Sequence, residues 1–205
     1  LGALLFCFSG FMIVGGSWYQ FSAETVLVAL MLLAFERLYQ KNSWYLFPIS
    51  IALICMTQPF NLYLFGLFLI FYFLFRHFTS EDATWKKFLS VTFKLAGLVF
   101  LGIVISSFML VSNIFMLIDS PRVGGESGYY EILSSKSLFF LESEAYYVTA
   151  VMRLFANDLL GNGSNFKGWQ NYLEAPMFYI GLLPLLVFPQ FLTGSSKRVK
   201  IISAA

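Results

Sequence analysis

The chain has 205 residues, 59% of them hydrophobic and 12% charged, with a formal net charge of +2 and a mean hydropathy of +0.75. That balance excludes an ordinary soluble domain and fits a protein whose surface is solvated by lipid. The small positive charge carries no nucleic-acid signal, because nine of the thirteen Lys and Arg residues form three short clusters beside apolar runs: Arg37 and Lys41; Arg76, Lys86, Lys87 and Lys94; Lys197, Arg198 and Lys200.

Leu1 to Val14 is apolar from its first residue and lacks the basic stretch of a signal peptide. A helix needs about 20 apolar residues to span a bilayer, so this run reads as the end of a helix that starts upstream, and the chain as an internal fragment. Gly15, Gly16 and Ser17 break it. Ser22 then reads as an N-cap with Glu24 in the first turn of a helix from Ala23 to Tyr39.

Trp44 to Arg76 as one straight helix would run about 50 Å, well beyond a hydrocarbon core of about 30 Å. Thr57-Gln58-Pro59 divides it into two short helices, since proline removes an N–H and clashes with the preceding turn. Both ends of this hairpin then lie beside basic residues. Trp85 to Leu117 reads as a long helix with Lys94 snorkelling to the membrane edge. Met177 to Leu192 crosses last, with Pro176 in its first turn and Pro184 and Pro189 kinking it.

Threaded this way, all three basic clusters fall on one side, the positive-inside pattern of a multi-span protein of the cytoplasmic membrane. Trp18, Trp44, Trp85 and Trp169 fall near interfaces, as an aromatic belt requires. The expected fold is all-α, a polytopic transmembrane helical bundle with one partial and five fuller spans. Residues 1–117 hold one partial and four fuller helices. Residues 118–175 are extracytoplasmic, and 176–205 carry the last helix and a basic cytoplasmic tail.

The extracytoplasmic segment contains a glycine-rich loop, Pro121 to Gly128, and then an amphipathic pattern. Leu138, Leu141, Ala145, Val148, Met152, Phe155 and Leu159 recur every three or four residues, which predicts a helix over 138–160 that Gly161 ends. Such a helix lies along the bilayer or packs as a lid, with Leu141, Val148, Met152 and Phe155 buried. Asn162-Gly163-Ser164 reads as a turn, though it also fits a glycosylation sequon. Cys7 and Cys55 read as buried free thiols. No Cys/His spacing marks a metal site, and His77 sits among the charges of the basic side.

Phe8-Ser9-Gly10-Phe11-Met12, Ser17-Trp18 and the helix ending Phe35-Glu36-Arg37-Leu38 resemble the bacterial YfhO family of membrane proteins. So do Asn61-Leu62-Tyr63, Phe71-Tyr72-Phe73-Leu74-Phe75, Ser120-Pro121-Arg122, and Asn171-Tyr172 through Ala175-Pro176 to Tyr179-Ile180-Gly181-Leu182-Leu183-Pro184. The resemblance implies a GT-C-like glycosyltransferase, which takes a sugar from a polyprenyl-phosphate carrier outside the cytoplasmic membrane. It implies inverting transfer, with or without a divalent cation, to a cell-wall polymer such as lipoteichoic acid. It also places the acidic catalytic motif in an outer loop upstream of Leu1. Beyond the lipid bilayer, the implied partners are the lipid-linked sugar and the polymer acceptor.

That chemistry needs a base for the acceptor hydroxyl, donors for the phosphate leaving group and polar or aromatic walls for the sugar. Glu24 is the candidate base; it also suits a helix N-terminus by charge alone. Trp18, Tyr19 and Gln20 could hold a sugar or simply form part of the belt. Gln58 and Asn61, flanking Pro59, either line a wet cavity or satisfy the broken backbone. Ser106, Ser107 and Asn113 suit helix packing. Arg122, beside Gly124 and Gly125, offers a fork of donors to a phosphate or pairs with Asp119 or Glu126. Arg153, on the amphipathic helix, is expected to be solvated or bound to headgroups, a further substrate contact. Two other classes stay open: a transporter or flippase using the broken helix at Pro59, and a non-catalytic scaffold.

Overall fold

A computed structural model describes residues 2–17, 19–119, 140–196 and 199. Every regular element among the described residues is helical, and none is a strand. Trp18, the loop 121–128 with Arg122, Leu138 and the cluster Lys197, Arg198 and Lys200 lie outside them. The chain forms two compact units: residues 26–136 with 196–205, and residues 1–25 with 137–195.

The first unit is built from α3 (Tyr19–Lys41) after Thr25, α4 (Leu46–Thr57), α5 (Pro59–Thr79) and α6 (Trp85–Ile118). The break expected at Pro59 is present. Gln58 is extended, at φ −153° and ψ 92°, and Pro59 enters the first turn of α5, where its missing N–H costs nothing. The amides around the break remain bonded: Gln58 N donates to Ile54 O at 2.9 Å and Asn61 N to Gln58 O at 3.0 Å. α5 packs back on α4, and both join a core of Met31, Phe35, Phe47, Ile51, Cys55 and Phe73.

The closest helix crossing is between α4 and α6. A Cβ on Gly102 would come within 2.8 Å of the Pro48 carbonyl, so only glycine permits this approach. Ser50 and Ser106 are fully buried beside it and satisfy their hydroxyls on their own helices, Ser50 on Phe47 O at 2.7 Å and Ser106 on Gly102 O at 3.1 Å. The packing role expected for Ser106 is what the structure shows.

Pro59–Thr79 and Trp85–Met116 are the two described helices long and apolar enough to cross a membrane. Only 17% and 11% of their apolar windows are buried within the chain, so neither is the core helix of a soluble domain. Phe93, Phe100, Phe108 and Phe115, seven or eight residues apart, are all more than 60% exposed along α6. α4 and the last helix, with 12 and 13 residues, are apolar but short, at about 1.5 Å per residue roughly 20 Å or less. Of the six spans expected from sequence, two are both long and apolar enough to cross a membrane among the described residues.

The second unit corrects more of the sequence reading. Leu1 to Val14 is not one helix: α1 (Gly2–Cys7) and α2 (Gly10–Gly15) are separated at Ser9, which is extended and buried. Gly10 N donates to Tyr179 O at 2.6 Å, and the Asn157 side chain lies where a Cβ on Gly10 would stand. Cys7 is exposed, contrary to expectation, on a helix with no buried residue, whereas Cys55 is buried as expected. α3 begins at Tyr19, so Ser22 and Glu24 sit inside the helix and not at its start.

The amphipathic helix is shorter than its sequence pattern. α7 runs Glu144–Phe155, and Ala156 is extended at φ −160°. Gly161 takes φ 90° in the turns that follow. The last helix, α8 (Leu182–Gly194), starts five residues later than Met177. Carbonyls of Pro176 and Tyr179 are held by Arg153 and Gly10, which keeps that stretch from coiling.

Candidate functional site

Three polar constellations stand out in a chain this apolar. At the far end of α3, Asn42 takes φ 56°, a left-handed conformation that Asn tolerates. Asn42 N donates to Leu38 O at 3.0 Å and Ser43 N to Arg37 O at 3.2 Å, closing the helix with a paired C-terminal turn. Glu36 Oε1 accepts from Arg76 Nε at 3.1 Å and from Tyr72 OH at 2.8 Å, while Gln40 donates to Oε2. Lys87 Nζ lies 4.6 Å from the Tyr39 ring centre, and Lys94 Nζ donates to Asn42 Oδ1 at 2.7 Å.

These contacts join the end of α3 and the end of α5 to the first turns of α6. The first two basic clusters of the sequence therefore converge within one unit. His77 belongs to this end too, but buried among rings. It is 2% exposed among Tyr39, Phe73, Phe78 and Phe88, with Nδ1 3.3 Å from Tyr39 OH. Glu36 was missed from sequence, although a carboxylate near the end of an apolar helix needs a cationic partner, and Arg76 was the available one.

The second constellation is the helix break. Asn61 Nδ2 donates to Gln58 Oε1 at 3.1 Å, and Asn61 is buried. The structure thus brings these two expected residues together, with their backbone and side-chain amides bonded across Pro59.

The third lies in the second unit and reverses the expected orientation of α7. Its buried residues are Thr149 and Arg153, one turn apart, while Val148, Val151 and Phe155 are more than half exposed and Leu141, ahead of the helix, is 78% exposed. Arg153 is fully buried, not solvated. Its Nε donates to Asn157 O at 3.0 Å, Nη1 to Ala175 O at 3.0 Å and Nη2 to Tyr172 O at 2.9 Å. Phe166 and Tyr172 each place a ring centre 4.7 Å from its Cζ.

Tyr172 OH donates to Asp158 Oδ1 at 2.5 Å, and Trp169 N donates to Thr149 Oγ1 at 2.8 Å. Burial pulls the Arg153 pKa below its ordinary value, opposed by Tyr172 and Asp158. Burial and the bond to Asp158 hold the Tyr172 phenol above its own. A guanidinium supplies five fixed donors, enough to gather the carbonyls of a coil that has no ladder of its own. The sequence pattern missed this cage because periodicity marked the apolar face of α7 and passed over Thr149 and Arg153.

Of the other candidates, Glu24 is part-buried in the second turn of α3. Tyr19 opens α3, its side chain outside the described residues, as are Trp18 and Arg122. Among the described residues, no group of three or more His, Cys, Asp or Glu is placed to hold a metal ion.

An all-α set of described elements with two long, exposed apolar helices and a lysine-rich helix end fits a membrane protein. Residues 1–204 match the family described as bacterial membrane protein YfhO, and the chain belongs to that family. No curated protein and no solved structure matches it.

Proposed function

We propose that this chain forms part of a GT-C-like glycosyltransferase of the bacterial cytoplasmic membrane. It moves a sugar from a polyprenyl-phosphate carrier to an extracytoplasmic cell-wall polymer such as lipoteichoic acid. Membership of the YfhO family over residues 1–204 carries this reading. The exposed phenylalanine stripe of α6 supports it, since a polyprenyl donor must be met from within lipid.

In this reading the lysine-rich helix end faces the cytoplasm and the Arg153-centred unit lies outside. A base takes the proton of the acceptor hydroxyl, its oxygen attacks the anomeric carbon, and the bond from that carbon to the carrier phosphate breaks. Glu24 is the proposed base within this chain, and Arg122 the cation that meets the departing phosphate. Trp18 and Tyr19 provide sugar-facing rings, with Gln58 and Asn61 as polar contacts at the helix break. Arg153, whose donors are engaged by carbonyls, holds the outer coil in shape.

The test is sugar transfer from a defined polyprenyl-phosphate donor by the full-length protein, at matched membrane levels. Charge-assisted hydrogen bonds contribute about 1.5–3 kcal/mol, so Arg122→Ala should lose at least about tenfold in turnover. Arg122→Lys should recover part of it, because it keeps the charge and loses the fork. Wild-type turnover in Arg122→Ala removes Arg122 from the site.

The extended Gln58 between α4 and α5 also favours a second reading, a transporter with a discontinuous helix. Uptake or flipping of a lipid-linked sugar without transfer to an acceptor would select it.

A further inference from the structure

We propose that the lysine-rich end of the first unit binds an anionic glycerophospholipid, its phosphate among Lys41, Lys87 and Lys94 and an acyl chain along Trp44, Phe93 and Gly97. Two adjoining clefts carry the inference. One, of about 400 Å³, is lined by Lys41, Asn42, Lys87, Ser90 and Lys94 among others. The other, of about 310 Å³, is lined by Trp44, Phe93, Gly97 and Leu98. They share Leu38, Asn42 and Lys94, so a polar compartment opens directly onto an apolar one.

Neither lining includes an Asp or Glu. The carboxylate of Glu36, one turn before Gln40, is already engaged by Arg76, Tyr72 and Gln40. Among the described residues, the contacts of these lysines are to neutral groups: Lys94 to an amide oxygen and Lys87 to the face of Tyr39. An ammonium has three donors, so Lys94 can bond Asn42 and still reach a phosphate oxygen. Three positive charges with no carboxylate beside them among the described residues thus surround the hollow, the arrangement by which basic pockets between membrane helices hold lipid headgroups.

The apolar compartment decides the source of the phosphate. A free phosphate would fill the lysine side and leave Trp44, 55% exposed, and Phe93, 74% exposed, uncovered. A diacyl lipid covers both. Trp44 and Trp85 at the helix ends set this site at interface depth, where a headgroup sits.

The full-length protein in phosphatidylcholine nanodiscs is titrated with phosphatidylglycerol or with inorganic phosphate, and bound lipid is read by native mass spectrometry after release. Phosphatidylglycerol should bind in preference to phosphatidylcholine. Each of Lys87→Gln and Lys94→Gln should weaken it roughly fivefold, the worth of one basic residue near a membrane surface. Lys86→Gln, an exposed lysine outside both linings, should bind as wild type.

Gly97→Leu is the second arm. A Cβ there meets nothing within 4 Å, so a longer side chain has room to extend into the apolar cleft that Gly97 lines. It should weaken phosphatidylglycerol while leaving the lysines intact. The proposal is overturned if Lys86→Gln weakens binding as much as Lys94→Gln, which would make net charge the cause. It is also overturned if inorganic phosphate displaces the lipid at equal concentration, or if Gly97→Leu has no effect.

Discussion

Arg153 donates from Nη2 to the carbonyl of Tyr172 at 2.9 Å while its Cζ stands 4.7 Å from the centre of the Tyr172 ring. One residue thus meets the guanidinium both edge-on and face-on, and Asp158 fixes that ring from the other side through the phenol. The coil between α7 and α8 takes its shape from this arrangement, since its one regular element is a 3₁₀ turn, Gly163–Asn165.

Arg153→Ala should therefore destabilise the second unit by at least about 3 kcal/mol, because several buried carbonyls lose their donor at about 1–3 kcal/mol each. Arg153→Lys should recover little, as a point charge cannot reproduce the fork. Denaturation followed through Trp169 fluorescence, with Trp18, Trp44 and Trp85 replaced by Phe in every protein compared, reads this directly, since Trp169 is bonded to the same face of α7. An unchanged transition in Arg153→Ala would show that the cage contributes nothing.

The Tyr172 phenol gives a pH signature. Its folded pKa is raised, first by burial and then by the bond to Asp158, so folding favours the protonated form. The stability it contributes is complete below the unfolded value of about 10 and falls as pH rises through the folded one. Wild type should lose stability of this unit above about pH 10 more steeply than Tyr172→Phe. Parallel pH profiles for the two proteins would contradict this.

At the α4–α6 crossing, Gly102→Val should cost roughly 1–3 kcal/mol, the usual penalty for overpacking. The added carbons must displace Ile51 and the Pro48 carbonyl, which is backbone and yields little. Gly66→Val on α5, where a Cβ meets nothing within 4 Å, is the control. Thermal unfolding in a fixed detergent should separate the two variants clearly.

Orientation is tested by single-cysteine labelling in intact cells. Labels at Lys41 and Thr84, at the lysine-rich end, should be protected from an impermeant reagent. Labels at Gly125 and Gly163 should react. Reaction at Thr84 would overturn the hairpin at Pro59 as a membrane feature and the proposed orientation with it.

The sequence by itself determined the all-α class, the membrane environment, the helix break at Pro59 and the family. Each is written in local chemistry: mean hydropathy, a missing N–H, and short motifs in order. It also marked Gln58 and Asn61 as needing partners, because an amide in an apolar helix must bond something. What only the tertiary structure decided was which groups those partners would be. Glu36 and Arg76 are 40 residues apart in sequence and meet because α5 folds back beside α3.

Periodicity correctly found α7 but gave its buried side to the apolar stripe. In water that inference is sound, since apolar area drives burial. At α7 the carbonyls of Asn157, Tyr172 and Ala175 take the donors of Arg153 and Trp169 N bonds Thr149, so hydrogen bonding and not apolar area sets the buried side. Arg153 and Thr149 are buried, and Val148 and Phe155 exposed, in keeping with that reversal.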